Sequence, residues 1–280
     1  MGDLDHDTAL SGGDGRYRAT LSADWEIWGP NGGYLAAVAL RAAGTHSGLA
    51  RPASLLCHFL DVAAFDEVTI DTVTLRRSRR AESTRVSMTQ DGRNVLEAMV
   101  WSVAGDIDGL VHDAAPAPDV PGPDGLPSVE ERLGPDGGRF AFFANLDERP
   151  IAWVDDWEHR DAGEPLHQCW YRFRPRAVFD DPWVDAGRLA VLVDTFQWPA
   201  AVRAHAGGSL AHIAPSLDLA CRFHRLAHPA DGDWLLVEAR SPVADDGLVG
   251  GTSQVWDRAG RLLASGGQQM LSRPAPPGMV

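Results

Sequence analysis

The sequence predicts an α+β protein built from two copies of one unit, each a long antiparallel sheet wrapped around a single central helix. Three observations predict it. Short motifs recur in the same order in the two halves. Each half carries one helix-like segment that is apolar nearly all round. After each of those helices the apolar residues alternate with period two, the pattern of strands with one buried face.

The repeat is read from strands and turns. The first half runs Ser54-Leu-Leu-Cys-His-Phe59, then a strand-like stretch, then Asp91-Gly-Arg-Asn-Val-Leu-Glu-Ala98. The second half runs from Ser216-Leu-Asp to Phe223, then a strand-like stretch, then Asp257-Arg-Ala-Gly-Arg-Leu-Leu-Ala264. Gly92-Arg93 and Gly260-Arg261 match as hairpin turns, where Gly supplies the positive φ that a tight turn needs.

The first helix is expected over Gly33–Ala43, which is Ala-rich and apolar on every face, as a buried helix must be. The second is expected over Asp185–Gln197, with Pro199 ending or kinking it. Strand-like stretches lie upstream, at Tyr17–Ile27 in the first half and at Ile151–Glu158 and His167–Arg174 in the second. Period-two strands follow the helices, as at Val68–Leu75, Thr84–Gln90 and Trp234–Arg240. Each half therefore reads β-helix-β-β-β. Residues 105–138 are rich in Gly, Pro and Asp and read as a linker. The units are expected at 1–104 and 139–280, with a disordered tail at 274–280.

A chain of 280 residues has room for two such units. Its apolar content of 44% and charged content of 23% are those of a globular protein with a sizeable core. No apolar run approaches the roughly 18–20 residues of a membrane span. A net charge of −14 argues against nucleic acid and anionic membrane surfaces as partners. It leaves room for an anionic substrate, since a local basic patch outweighs distant charge within a Debye length. Met1–Asp7 is acidic, without a basic segment leading into an apolar one, so a cytoplasmic protein is expected. Cys57, Cys169 and Cys221 are odd in number and lack CxxC spacing, so each is expected as a small apolar strand residue. The ten His show no metal-ligand spacing, and no Gly-rich phosphate loop occurs; neither metal nor organic cofactor is expected. Gly207-Gly-Ser209-Leu-Ala211 misses the Gly-x-Ser-x-Gly pattern of a nucleophile elbow.

Further short motifs accompany the repeat. They are Asn31-Gly-Gly-Tyr34 at the first helix, Thr84-Arg with Gln90-Asp-Gly-Arg93, Leu192-Val-Asp194, Ser216-Leu-Asp218 with Phe223-His-Arg225, and Leu263-Ala-Ser-Gly-Gly-Gln268. In order and spacing they resemble the TesB-like acyl-CoA thioesterases, two fused hotdog units in one chain, over nearly the whole sequence. The resemblance implies a double hotdog that hydrolyses an acyl-CoA, or the corresponding carrier-protein thioester, and assembles as a homo-oligomer. It also implies an Asp, a Ser or Thr and a Gln around one water, which fall here on Asp194, Ser216 and Gln268. Asn31, Gly32, Gly33 and Tyr34 are implied as substrate contacts at the helix start. The family often carries Thr just before its Gln; here the residues are Gly266 and Gly267.

The residue types suit the chemistry. A thioester is an activated acyl group whose thiol leaves with little acid assistance, its pKa being roughly 8–9 by analogy with Cys. What has to be supplied is an oriented water, a base, and donors for the oxyanion. Asp194 supplies a base, and Ser216 and Gln268 supply hydrogen bonds to a water. Backbone N–H groups at a helix N-terminus would serve the oxyanion. The repeat makes the site asymmetric: the position matching Gln268 in the first half is Val100, and Tyr34–Ala43 has no carboxylate. One site per chain is expected, drawn mainly from the second half.

Plainer readings stand beside these. Asp194 also fits a half-exposed helix position, Ser216 a strand start and Gln268 a surface strand. The basic run Arg76, Arg77, Arg79, Arg80 with Arg85 fits either the phosphates of coenzyme A, through Arg79 and Arg80, or a solvated strand end. Asp218 and His224 are spaced to share one face of a strand, the pair a hotdog enoyl-CoA hydratase would use. A third alternative is a non-catalytic acyl-CoA-binding protein.

Overall fold

The computed structural model describes residues 1–105, 107–134, 139–207, 211–227 and 230–275. Positions 208–210 of the Gly207–Ala211 segment and 276–280 of the expected tail lie outside the described residues.

The first half places a short helix α1 (Leu4–Asp7) and the hairpin β1 (Ser11–Gly13) and β2 (Arg16–Thr20) before the long helix α2 (Gly32–Ser47). Strands β3 (Arg51–Phe59), β4 (Glu67–Arg77), β5 (Ala81–Gln90) and β6 (Arg93–Val103) follow. After the connecting segment, which carries α3 (Val129–Leu133), the second half repeats the plan. It has β7 (Leu146–Pro150), β8 (Leu166–Phe173), α4 (Pro182–Thr195), α5 (Gln197–Val202) and a short β9 (His212–Ile213). Strands β10 (Asp218–Phe223), β11 (Leu235–Asp245), β12 (Leu248–Asp257), β13 (Leu262–Leu271) and β14 (Arg273–Pro274) complete the chain.

Twelve strands form one antiparallel sheet in the order β1-β2-β4-β5-β6-β3-β10-β13-β12-β11-β8-β7. The order reads the same from either end once β3 is equated with β10, β6 with β13, β5 with β12, β4 with β11, β2 with β8 and β1 with β7. The two sheets expected from the repeat are therefore joined edge to edge. The seam is β3 against β10, with Leu55 opposite Cys221 and Cys57 opposite Leu219. Those are the repeated segments Ser54–Phe59 and Ser216–Phe223, so the duplicated strands satisfy each other's edge hydrogen bonds and leave no exposed edge at the centre.

The helices lie side by side under this sheet and share one hydrophobic cluster with its inner face. They run antiparallel: Gly33, at the start of α2, packs on Val191 and Asp194, while Gly44 packs on Trp183 at the start of α4. α2 is capped by the Asn31 side chain, which accepts from Tyr34 N at 2.9 Å, and α4 by Asp181, which accepts from Trp183 N at 2.8 Å.

Several sequence expectations shift. α2 extends past Ala43 to Ser47, where Gly48 in a left-handed conformation ends it. α4 starts at Pro182, a favoured first-turn residue, and stops at Thr195. Pro199 then sits in the first turn of α5, so it redirects the chain rather than ending it. The stretch Tyr17–Ile27 is strand only to Thr20. Ile151–Glu158 is not a strand; the pairing segment is Leu146–Pro150, whose charged residues Asp147, Glu148 and Arg149 hid the pattern. The Asp91-Gly92 turn has φ of 51° and 77°, the two positive values of a tight hairpin.

The described part of the segment expected as a linker packs on the second half; positions 106 and 135–138 lie outside the described residues. Ala117, Val120 and Leu126 pack with Trp170, Trp234, Leu236 and Trp256 on the outer face of the second half, and Trp170 Nε1 donates to Pro121 O at 2.9 Å. Cys57, Cys169 and Cys221 are buried, unpaired strand residues. Among the described residues no helix is long and apolar enough to cross a membrane.

Candidate active site

Asp194 stands in the last turn of α4 and is 4% exposed. The helix is positioned so closely because its neighbours lack side chains. A Cβ on Gly33 would stand 2.5 Å from Val191 Cα, and one on Gly266 would overlap Ala220 O and crowd Val193. Gly266 thus lets β13 lie close under α4, while Gly267 leaves room for Gly251 O of β12, 2.6 Å from where a Cβ would stand.

Three sequence-predicted residues meet at this point. Asp194 Oδ2 accepts from Gly33 N at 2.7 Å, and Asp194 Oδ1 lies 3.1 Å from Ser216 Oγ. Ser216 Oγ is also 3.0 Å from Gln268 Oε1. Gln268 Nε2 donates to Asp194 O at 2.8 Å, which fixes the amide with its oxygen toward Ser216. Ser216 is held by a β-bridge to Met270, and Gln268 points inward from β13 at 7% exposure. Ser216 has one hydroxyl proton and two acceptors within reach. Whichever acceptor it serves, the other is open to an O–H from solvent.

Burial pushes the Asp194 carboxyl up to about 6; the Gly33 N–H and then the Ser216 hydroxyl pull it the other way, as does any donor to a carboxylate. The group is thus ionised near neutral pH yet far more basic than an exposed Asp. Asn31 ties the two helices: its Nδ2 donates to Thr195 Oγ1 at 3.1 Å and lies 3.5 Å from Asp194 Oδ2. Gly32, in the first turn of α2, lines the cavity, and its N–H has no hydrogen-bond partner among the described residues.

These groups open on a cavity of about 910 Å³. Ile27, Phe59, Phe140, Phe143 and Met270 line it with apolar surface, Trp28 and Trp198 meet edge to face in its wall, and His212 and Arg273 also border it. The volume lies at the upper end of the roughly 300–1,000 Å³ usual for ligand sites.

The remaining predicted residues do not gather here. Tyr34 is fully buried, donates its hydroxyl to Asp7 O at 2.7 Å and stacks on Trp25, so it supports α2 and stays off the cavity. Arg79 and Arg80 are exposed in the β4–β5 turn, beside the C-terminal end of α2, where Arg77 reaches Ser47 O. That is the far end of a 16-residue helix, roughly 24 Å from Asn31 at 1.5 Å per residue. Asp218 and His224 do share a face, but it is the outer one: Asp218 accepts from Gln269 N at 2.8 Å and His224 pairs with Ser265 Oγ. The hydratase alternative therefore loses its residues, because β10 turns Leu219, Cys221 and Phe223 inward.

The internal symmetry shows no second copy of this cluster among the described residues. The contact of Gly33 with Asp194 is mirrored at the other end of the helix pair by Trp183 with Gly44. There the carboxylate position is a glycine, an indole fills the space, and buried Val100 stands where Gln268 would be.

Comparison with known proteins gives the family. Residues 21–103 match the family model of the acyl-CoA thioesterase N-terminal domain, and residues 111–272 match that of the C-terminal domain. The chain belongs to the acyl-CoA thioesterase family. No curated relative matches it. Among solved structures, this thioesterase is similar to a hot dog fold protein of unknown function from Alicyclobacillus acidocaldarius. The two are 24% identical, with 99% of each chain covered and a TM-score of 0.80. It is similar to the acyl-CoA thioesterase II TesB2 from Mycobacterium marinum, at 22% identity, 99% and 100% coverage and a TM-score of 0.77. It is also similar to the tesB protein of Mycobacterium avium subsp. paratuberculosis, at 23% identity, 97% and 98% coverage and a TM-score of 0.76. The double-hotdog architecture of this thioesterase is thus shared across the full chain.

Proposed function

We propose that this thioesterase hydrolyses acyl-CoA by direct attack of a water held between Asp194 Oδ1, Ser216 Oγ and Gln268 Oε1. The observation that carries the reading is the buried Asp194 carboxylate at the end of the cavity, bonded to Gly33 N–H and Ser216 and raised to about 6. Asp194 takes a proton from the water as its oxygen bonds to the acyl carbon. Gly32 N–H, at the positive end of α2, donates to the oxyanion. The tetrahedral adduct collapses, the C–S bond breaks, and the thiolate leaves. Trp28, Phe59, Phe140 and Phe143 are surfaces for the acyl chain. The experiment is release of free thiol from short to long acyl-CoAs; a wild type that binds acyl-CoA but releases no thiol from any of them would favour the binding-protein reading.

Two expected results follow from the site. The base must be ionised, so kcat/KM should fall about tenfold per pH unit below about 6 and level off above it. A plateau extending down to pH 5 would remove Asp194 from the base role. Ser216→Ala should retain roughly 1–10% of activity, since Asp194 and Gln268 still hold the water. Mass spectrometry of quenched wild type should find no acyl group on Ser216; an acylated Ser216 that forms and decays at the turnover rate would replace direct hydrolysis with a covalent path.

Three broader readings belong here. Units at 1–104 and 139–280, tethered by 105–138, fit the repeat. Buried unpaired thiols fit a reducing cytoplasm. Leu56, Met99 and Trp101, exposed on the outer face of β3 and β6, fit a homo-oligomer.

A further inference from the structure

We propose that Arg273, with His212 beside it, is the anchor for the phosphates of coenzyme A at the mouth of the cavity. Among the described residues, four ionisable ones line that cavity: Asp61, Asp194, His212 and Arg273. Asp61 is engaged with Arg93 at 2.8 Å, and Asp194 is the base. Arg273 makes no ion pair and no side-chain hydrogen bond among the described residues, although the chain carries a net charge of −14. In so acidic a protein most guanidinium groups have carboxylate partners within reach. A cation left open on a cavity rim concentrates local positive potential where an anion enters.

The backbone holds this side chain in place. β14 pairs with β9, setting Arg273 opposite Ile213 and Pro274 opposite His212. Leu271 N donates to Pro215 O, Ser272 N to Gly247 O and Ala275 N to Ala211 O, at 2.7–3.0 Å. Ile213 of β9 and the adjacent Ala214 are buried, which ties the ribbon to the body of the protein. The exposed cation is therefore carried on a fixed frame.

Length agrees as well. Gln268 and Arg273 lie on one continuous stretch of chain, five residues apart, at most ~17 Å at strand rise. A pantetheine arm has about thirteen bonds between sulfur and phosphorus, a little over the length of four extended residues, ~15 Å. With the thioester at Asp194, the phosphates reach the rim at Arg273. A guanidinium binds phosphate through paired N–H donors. The apolar surface at Phe59, Phe140 and Phe143 remains for the acyl chain. The assignment rests on the thioesterase reading of this cavity, and it takes the phosphate role away from Arg79 and Arg80.

The test compares one acyl group on coenzyme A and on N-acetylcysteamine, which lacks the phosphates. Arg273→Gln should raise KM for the acyl-CoA about five- to tenfold with kcat unchanged, and leave KM for the short thioester unchanged. An equal rise for both thioesters means that Arg273 only supports the rim, and overturns the proposal. So does an unchanged KM for the acyl-CoA. A variant effect confined to N-acetylcysteamine thioesters whose acyl group ends in a carboxylate means that Arg273 reads the acyl end, and also overturns it. Calorimetry with adenosine 3′,5′-bisphosphate separates this proposal from the catalytic reading. If wild type turns over neither thioester, the hydrolytic reading fails. Binding of the bisphosphate that weakens about tenfold in Arg273→Gln still upholds the anchor, and absence of binding to wild type sinks it.

Discussion

Asp194→Asn should lower kcat/KM for the best acyl-CoA by at least about a hundredfold, the lower range for loss of a general base. Asn keeps the shape of the carboxylate. Its Oδ1 still accepts from Gly33 N–H, and its Nδ2 still meets Ser216 Oγ, so geometry is preserved while basicity is removed. The same change should stabilise the fold. Burial raises the Asp194 carboxyl from the ordinary Asp range to about 6, so the folded state holds this proton more tightly than the unfolded chain does. Stability is then lost as pH rises from about 4 through 6, and the full cost of roughly 2–3 kcal/mol is present above both values. The Asn variant escapes it. Its Tm should exceed that of wild type at pH 7–8, and the two should converge near pH 4. Lower activity with lower Tm at pH 7.5 would mean that the variant had disrupted the helix pair, and would take away the evidence for a base.

The residues most legible in the sequence are those that break a pattern. Asp194 interrupts an apolar helix, and Gln268 stands where the repeat has Val100; both interruptions mark the site, because burying a polar group without a partner or a purpose is costly. Ser216 was legible through the resemblance alone, since a Ser before a strand carries no pattern of its own. The seam between β3 and β10 follows from the repeat only when edge pairing is considered, and periodicity says nothing about which edge meets which. The cavity walls were illegible for a different reason. Trp28, Phe59, Phe140 and Trp198 come from loops, strand ends and helix starts far apart in sequence, and only the antiparallel packing of α2 on α4 brings them together. The dense basic run at Arg79 and Arg80 left phosphate binding and a solvated strand end both open, whereas the position of Arg273 depends on a two-residue pairing that no local pattern announces.

Gly33→Ala should cost far more than one added methyl usually does. The added Cβ would stand 2.5 Å from Val191 Cα and 3.0 Å from Ala190 O, both backbone atoms of α4, so no side chain can rotate away to relieve it. Overpacking of this kind costs typically 1–3 kcal/mol, against which the ~1 kcal/mol gain in helix propensity is a partial offset. The helices must separate, and Gly33 N–H and Gly32 N–H move with α2 while Ser216 and Gln268 stay with the sheet. The carboxylate then loses its shortest hydrogen bond, the 2.7 Å contact to Gly33, and the oxyanion donor withdraws from the water site. Activity should therefore fall by more than the loss of stability explains: at a temperature where the variant is fully folded by circular dichroism, kcat should drop at least about tenfold. Ala at exposed Gly13, where a Cβ meets nothing within 4 Å, is the control and should match wild type in both measurements. A folded Gly33→Ala protein with wild-type kcat would show that the spacing of α2 and α4 is not what sets the catalytic geometry.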